Sequence, residues 1–274
     1  MRERVDTVGM DPDVEPRILP VLQVGLERAK VTAVYGGGGV FGIAYGLGVA
    51  HALCEAGVPL ATCQALGTSA GSWVASCLAT GIGYDVLSAQ APVRVPNLRP
   101  GWLRAVAKGI FGDRRDARVR ASALGLPTLR RRLLPGSDLP LADVVAASSS
   151  VPGLFAPARI GGRVYVDGGV RSFASAHLAP AADHLLVVAP VAGPVLGTGG
   201  RALELILAEE MRRWERRTGG RAHVIRPNAA IAALVTSPLH LFDKARALDV
   251  YPMAYAQGAR LIATRPNLMQ LTAA

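Results

Sequence analysis

Cys63-Gln-Ala-Leu-Gly-Thr-Ser69-Ala-Gly-Ser-Trp-Val-Ala-Ser-Cys-Leu-Ala-Thr80 sets a Ser between two glycines where the hydrophobic pattern changes period. Cys63–Leu66 reads as a short strand running into a tight turn, and Ser72–Thr80 is apolar nearly all round, as a buried helix is. Gly67-Thr68-Ser69-Ala70-Gly71 therefore matches G-x-S-x-G in a strand–turn–helix setting. The pattern has a mechanical reason. A sharp turn lifts the Ser hydroxyl clear of the sheet, and Gly67 and Gly71 let neighbouring backbones come close. The helix that follows aims its unpaired N–H groups and positive end at the Ser, where an anion can be held. A Gly-lined turn whose Ser caps the helix carries the same letters, but the flanking strand and helix favour a nucleophile.

One unit upstream, Val31–Tyr35 (VTAVY) is a β-branched run that ends in Gly36-Gly37-Gly38-Gly39-Val40-Phe41-Gly42. Phe41–Ala56 then repeats apolar residues with helical spacing and stops at Gly57. A dinucleotide or phosphate loop would need G-x-x-x-x-G-K-[ST], or an acid at the end of the second strand, and that strand leads to Ser69 instead. An oxyanion hole fits better, because consecutive glycines can converge several N–H groups without Cβ obstruction.

Further along, Leu141–Ser150 reads as a helix, Arg163–Val166 as a strand and His184–Ala189 as a buried parallel strand. Arg201–Arg217 reads as a charged amphipathic helix, Ala222–Ile225 as a last strand and Leu239–Ala263 as a helical tail. Alternating strands and helices predict an α/β layered fold with a mainly parallel sheet. Residues 1–28 read as a loosely attached arm and 29–274 as one domain.

Composition excludes several classes. Half of the 274 residues are apolar and mean hydropathy is +0.30, against disorder. The 31 Gly and 19 Pro follow no G-X-Y period, against a collagen-like chain. Cys54, Cys63 and Cys77 are an odd set, which predicts free thiols in a reducing compartment. The charged, Pro-containing N-terminus lacks the apolar core of a signal peptide, and turn residues interrupt the uncharged stretch Ala56–Tyr84. The expectation is a cytoplasmic protein without a spanning helix, touching membranes at most peripherally.

Net charge is +10, and only three of the 30 basic residues are Lys. Residues 94–132 hold eleven basic residues against Asp113 and Asp116, so this segment carries nearly all of the excess. It lies in a predicted basic insert at about 92–136. Within it, Trp102, Leu103, Val106 and Ile110 share one face of a helix, with Arg104 and Lys108 on the other. Two readings stand: Trp102, Arg104 and Lys108 contact an anionic membrane, or the helix packs on the core with a solvated basic face. Aromatic interleaving and any nucleic-acid motif are missing, so nucleic acid is not expected.

Serine needs a base. Of five histidines, His51 and His184 read as structural, His177 carries no assignment, and only His223 and His240 come late enough for a Ser–Asp–His order. Against them stands Val164-Tyr165-Val166-Asp167-Gly168-Gly169, a strand ending in a carboxylate. Such an Asp can take the Ser proton if burial raises its pKa; an Asp-Gly hairpin turn is the bland alternative.

Taken in order, the Gly36–Gly42 loop, Gly67–Gly71, Ala147–Gly169 (ASSSVPGLFAPARIGGRVYVDGG) and Val170–Ala179 (VRSFASAHLA) resemble the patatin-like phospholipases. The similarity runs from about Val31 to the C-terminus. It implies a three-layer α/β/α fold and a lipid acyl hydrolase working through a Ser–Asp dyad, without metal or cofactor. By the resemblance Ser69 is the nucleophile and Asp167 its base. Gly37, Gly38 and Gly39, with the Ala70 N–H, form the oxyanion hole, and the substrate is a lipid or fatty-acyl ester. Two positions depart. Phe41 replaces the cation common before the loop's last Gly, and Phe173 stands where a small residue or Pro is usual. The alternatives are an α/β-hydrolase triad, which chain order disfavours, and a catalytically silent basic binding protein.

Overall fold

The computed structural model describes residues 29–272, so the arm expected at 1–28 lies outside the described residues. The strands are β1 (Val31–Tyr35), β2 (Gln64–Thr68), β3 (Val119–Gly125), β4 (Arg130–Pro135), β5 (Ala158–Ile160), β6 (Arg163–Asp167), β7 (His184–Val188) and β8 (Arg221–Ile225). The helices are α1 (Gly39–Glu55), α2 (Ala70–Thr80), α3 (Tyr84–Ser88), α4 (Trp102–Phe111), α5 (Leu141–Ser149), α6 (Thr198–Thr218), α7 (Ala229–Ala232), α8 (Lys244–Thr264) and α9 (Pro266–Met269).

One sheet runs β5-β6-β3-β2-β1-β7-β8, with β4 on the far edge of β3. β3, β2, β1, β7 and β8 are mutually parallel; β4 and β6 pair antiparallel with β3, and β5 pairs antiparallel with β6. Period-two alternation in the central strands divides the core between two faces. Val31, Ala33 and Tyr35 of β1, with Leu186 and Val188 of β7, pack under α1, α2, α4, α5 and α8. Val34, Leu185 and Val187 face the other way, against Leu207 and Trp214 of α6. Helices on both faces of a mainly parallel sheet make the expected three layers.

The predicted elements fall within a few residues of those seen. Three strands carry little signal in the sequence, and two of them fall within the expected basic insert at about 92–136. β3 lies inside the sheet and β4 pairs with it from Arg120↔Pro135 to Gly125↔Arg130. Arg120 and the Arg130-Arg131-Arg132 run gave these strands the look of solvated chain.

β3 also assembles the site. β4 occupies one of its edges, so β2 and β6 must share the other. β2 arrives in parallel and ends with Thr68 opposite Ser122; β6 arrives from the opposite direction and ends with Asp167 opposite Ala123. Two strand ends therefore meet head-on, and whatever follows Thr68 is delivered to Asp167.

Candidate active site

Ser69 follows Thr68 directly and takes φ 53°, ψ −122°, a conformation costly for a residue with a Cβ. The turn holds because its neighbours leave no alternative. Ser69 N–H donates to Ser148 Oγ at 2.9 Å, and the Ser69 carbonyl accepts the Ser72 N–H at 2.8 Å and the Ser72 hydroxyl at 2.6 Å. Gly71 lies so close to β1 that a Cβ there would run into the Tyr35 carbonyl oxygen, which explains the second glycine of the elbow. Gly67 lies within β2, opposite Tyr35.

Asp167 is 2% exposed and shares the sheet face of Tyr165, towards α5. Burial pushes its carboxyl up to about 7, against the opposing pull of hydrogen bonds from the Ser69 side chain and the Gly169 N–H. The Gly169 bond is 2.6 Å, to Oδ1, and Asp167 thereby caps the turn Gly168–Val170. The Asp167 N–H donates to the Ser150 carbonyl at 2.9 Å. Three successive serines thus serve three neighbours: Ser148 holds the Ser69 backbone, Ser149 Oγ accepts the Trp73 indole N–H at 3.0 Å, and Ser150 anchors Asp167. The serine run was read only as part of a motif; its spacing between the two candidate residues was the signal for these contacts.

The glycine loop divides by function. Gly37 N–H already donates to the Phe173 carbonyl at 2.7 Å, and Gly36 N–H to the Val188 carbonyl at 2.9 Å. Gly37 therefore departs from its expected donor role: its amide is engaged in holding the loop to the segment after Asp167. Gly39 has φ 58°, and a Cβ there would meet the Leu241 carbonyl, so only Gly fits. Gly38 precedes it as the first helix's cap residue. Gly39 and Ala70 line the same cavity as Ser69. Phe41 is fully buried and stacks on Tyr45 with ring centroids 6.4 Å apart, so an apolar core contact replaces a cation.

That cavity holds about 890 Å³ including its open mouth. Its walls are mostly apolar, among them Ile43, Trp73, Val106, Ile110 and Phe155. Helix α4 turns its whole apolar stripe, Trp102, Leu103, Val106 and Ile110, into this wall. The Trp102 ring lies flat on Phe155, centroids 5.9 Å and planes 5° apart, and Phe242 meets Phe155 edge-on at 6.2 Å. Arg104 pairs with Asp143, and Lys108 lies 3.3 Å from Asp113 on the solvent face.

No histidine lines the cavity. His223 is buried beside His184, Nε2 to Nδ1 3.1 Å, and touches Asn267; His240 contacts Thr236; His51 contacts the Tyr251 hydroxyl; His177 lies against Glu210. The triad alternative thus lacks its base at Ser69.

The family model described as patatin-like phospholipase matches residues 127–180, the stretch containing Ser148–Ser150, Asp167 and Phe173. Over that stretch the chain is similar to the patatin-like phospholipases. That family implies lipid acyl hydrolase activity and lipid substrates. Twelve solved chains match, among them VipD from Legionella pneumophila, at 14% identity over 87% of this chain and 67% of that one, with a TM-score of 0.43. No curated protein matches. Among the described residues, no helix is long and apolar enough to cross a membrane.

Proposed function

We propose that the protein is a serine acyl hydrolase cleaving carboxylic esters of lipids through an acyl-enzyme on Ser69 and Asp167. The observation that carries this reading is a strained Ser69, delivered by strand register to a buried carboxyl raised to about 7, at the wall of an apolar cavity. With the acyl chain in that cavity, Ser69 Oγ attacks the ester carbonyl carbon while Asp167 takes the hydroxyl proton. Negative charge collects on the carbonyl oxygen, opposite the amides of Gly38, Gly39 and Ala70. Each such donor is worth about 10²–10³ in rate, and a positioned base about 10²–10⁴. Asp167 returns its proton to the leaving alcohol as the tetrahedral species collapses. Water then gives a proton to Asp167, attacks the acyl-enzyme and releases the fatty acid, and Ser69 regains its proton. The cycle closes on these two side chains, with no metal or cofactor required. Attraction to an anionic membrane rests, in this reading, on exposed basic residues such as Arg94 and Lys108, with Trp102 turned to the acyl chain.

A fluorophosphonate probe and a medium-chain ester test the proposal on the whole chain. Wild type labels at Ser69 and turns over. Ser69→Ala does neither, and Asp167→Asn loses turnover by at least 10³, while His223→Ala/His240→Ala retains it. Full turnover in Asp167→Asn would sink the dyad; absence of labelling at Ser69 would sink the hydrolase.

A further inference from the structure

A second cleft opens on the α6 side of the sheet and shares no lining residue with the cavity beside Ser69. Arg130 and Arg131 of β4, Arg171 and His177 from the segment after Asp167, and Glu210 and Arg213 of α6 line it. Four guanidinium groups thus converge where a single carboxylate faces them.

That carboxylate is already committed. Glu210 is buried; its Oε2 accepts the Ala176 N–H at 2.8 Å and its Oε1 lies 3.2 Å from His177 Nδ1. Arg131 Nη1 approaches His177 Nε2 at 3.1 Å, and a guanidinium can only donate. Nε2 must therefore accept, which leaves the proton on Nδ1, a buried donor without a hydrogen-bond acceptor among the described residues. His177 is held neutral, in line with burial as the largest influence lowering its pKa. Arg213 is bound to Glu209, Nε to Oε1 2.9 Å. Arg130, Arg131 and Arg171 make no ion pair with a carboxylate among the described residues.

The interior of the cleft records the imbalance. Arg131 Nε is buried with no hydrogen-bond acceptor among the described residues, a donor expensive to leave unmade. The Arg131 guanidinium is pushed below its ordinary value, by burial first and also by Arg171, against the pull of Glu210. Like charges gathered around an unsatisfied donor are what an oxyanion with several acceptor oxygens relieves. The planar forks of arginine match phosphate in pairs of parallel hydrogen bonds, where a chloride offers a single point.

We infer that this cleft binds a phosphate-class dianion, held by Arg131 and Arg171 with Arg130 at its rim. The chemistry is shared by free phosphate and by the terminal phosphate monoester of an anionic lipid headgroup. The inference is independent of the hydrolase reading.

Calorimetric titration of the whole chain with inorganic phosphate, at constant ionic strength, tests the site. Saturable one-to-one binding is expected, weakened at least tenfold by Arg171→Gln, an exposed change that spares the fold. Arg131→Gln should abolish it. If that variant does not fold, Arg171→Gln and Arg130→Gln together decide. Sedimentation with phosphatidylcholine vesicles containing phosphatidate separates the sources. Retention that needs phosphatidate and falls with Arg171→Gln assigns the lipid headgroup; phosphate binding without such retention assigns the free anion. Heat no greater than that from sodium chloride, or equal affinity in wild type and Arg171→Gln, overturns the inference.

Discussion

The Ser148 hydroxyl stands between Ser69 and β3, accepting the Ser69 N–H at 2.9 Å and donating to the Ser122 carbonyl at 2.8 Å. One buried side chain thus ties the strained turn to the strand that aligns both catalytic candidates. In Ser148→Ala the Ser69 amide loses its acceptor, at a cost of about 1–3 kcal/mol. Turnover of a soluble ester should fall roughly tenfold with KM unchanged, and fluorophosphonate labelling should slow in parallel. An unaltered kcat would show that the turn holds without Ser148.

Asp167 sets a pH dependence whose sign is fixed by its folded-state value. Its carboxyl titrates at about 7 in the folded chain and near the ordinary 3.8 when unfolded. The folded state therefore holds the proton more tightly. The stabilisation is fully present below the unfolded value and is lost as pH rises through the folded one. Activity should run the opposite way, since only the ionised carboxylate accepts a proton: kcat/KM rises through about pH 7. Asp167→Asn removes both trends. Its Tm should exceed that of wild type at pH 8 by more than at pH 5.

Gly71→Ala places a methyl against the Tyr35 carbonyl, where backbone on both sides prevents relief. The expected loss exceeds about 3 kcal/mol, at the upper end for overpacking. Urea unfolding followed by tryptophan fluorescence measures it; a shift of under about 1 kcal/mol would mean that α2 can slide away from β1.

Trp102→Ala opens one wall of the apolar cavity and removes a stacked ring pair worth about 0.5–1.5 kcal/mol beyond its area. KM for long-chain esters should rise several-fold while that for short-chain esters changes little. Vesicle binding should be unaffected by this change yet weaken with salt, because the exposed cations carry it. Loss of vesicle binding in Trp102→Ala would restore the interfacial reading.

The patterns that proved legible were those whose local chemistry and tertiary position agree. β1 is five buried residues in a row, and the elbow around Ser69 needs its glycines for reasons visible in five letters. β3 is hidden in the sequence because Arg120 and Ser122 alternate with Val119, Ala121 and Ala123, a weak apolar signal inside a basic stretch. β4 begins with three arginines, and β5 is only three residues long. Helix α4 was legible as an amphipathic helix, but nothing local says whether an apolar stripe faces lipid or the protein's own cavity. The engagement of Gly37 by Phe173 joins residues far apart in sequence, so only the folded chain reveals it.

The head-on meeting of β2 and β6 makes β3 a common ruler for both candidate residues, Ser69 and Asp167. Thr68 and Asp167 lie opposite consecutive residues of β3, about 3.3 Å apart along the strand. Their spacing is set by ladder register, not by the length of chain between them. Loops between the two can therefore lengthen or shorten without disturbing the pair, provided β6 keeps its rung and Ser148 and Ser150 keep their contacts. A slip of one residue is another matter: it would turn Asp167 to the opposite face of the sheet, away from Ser69.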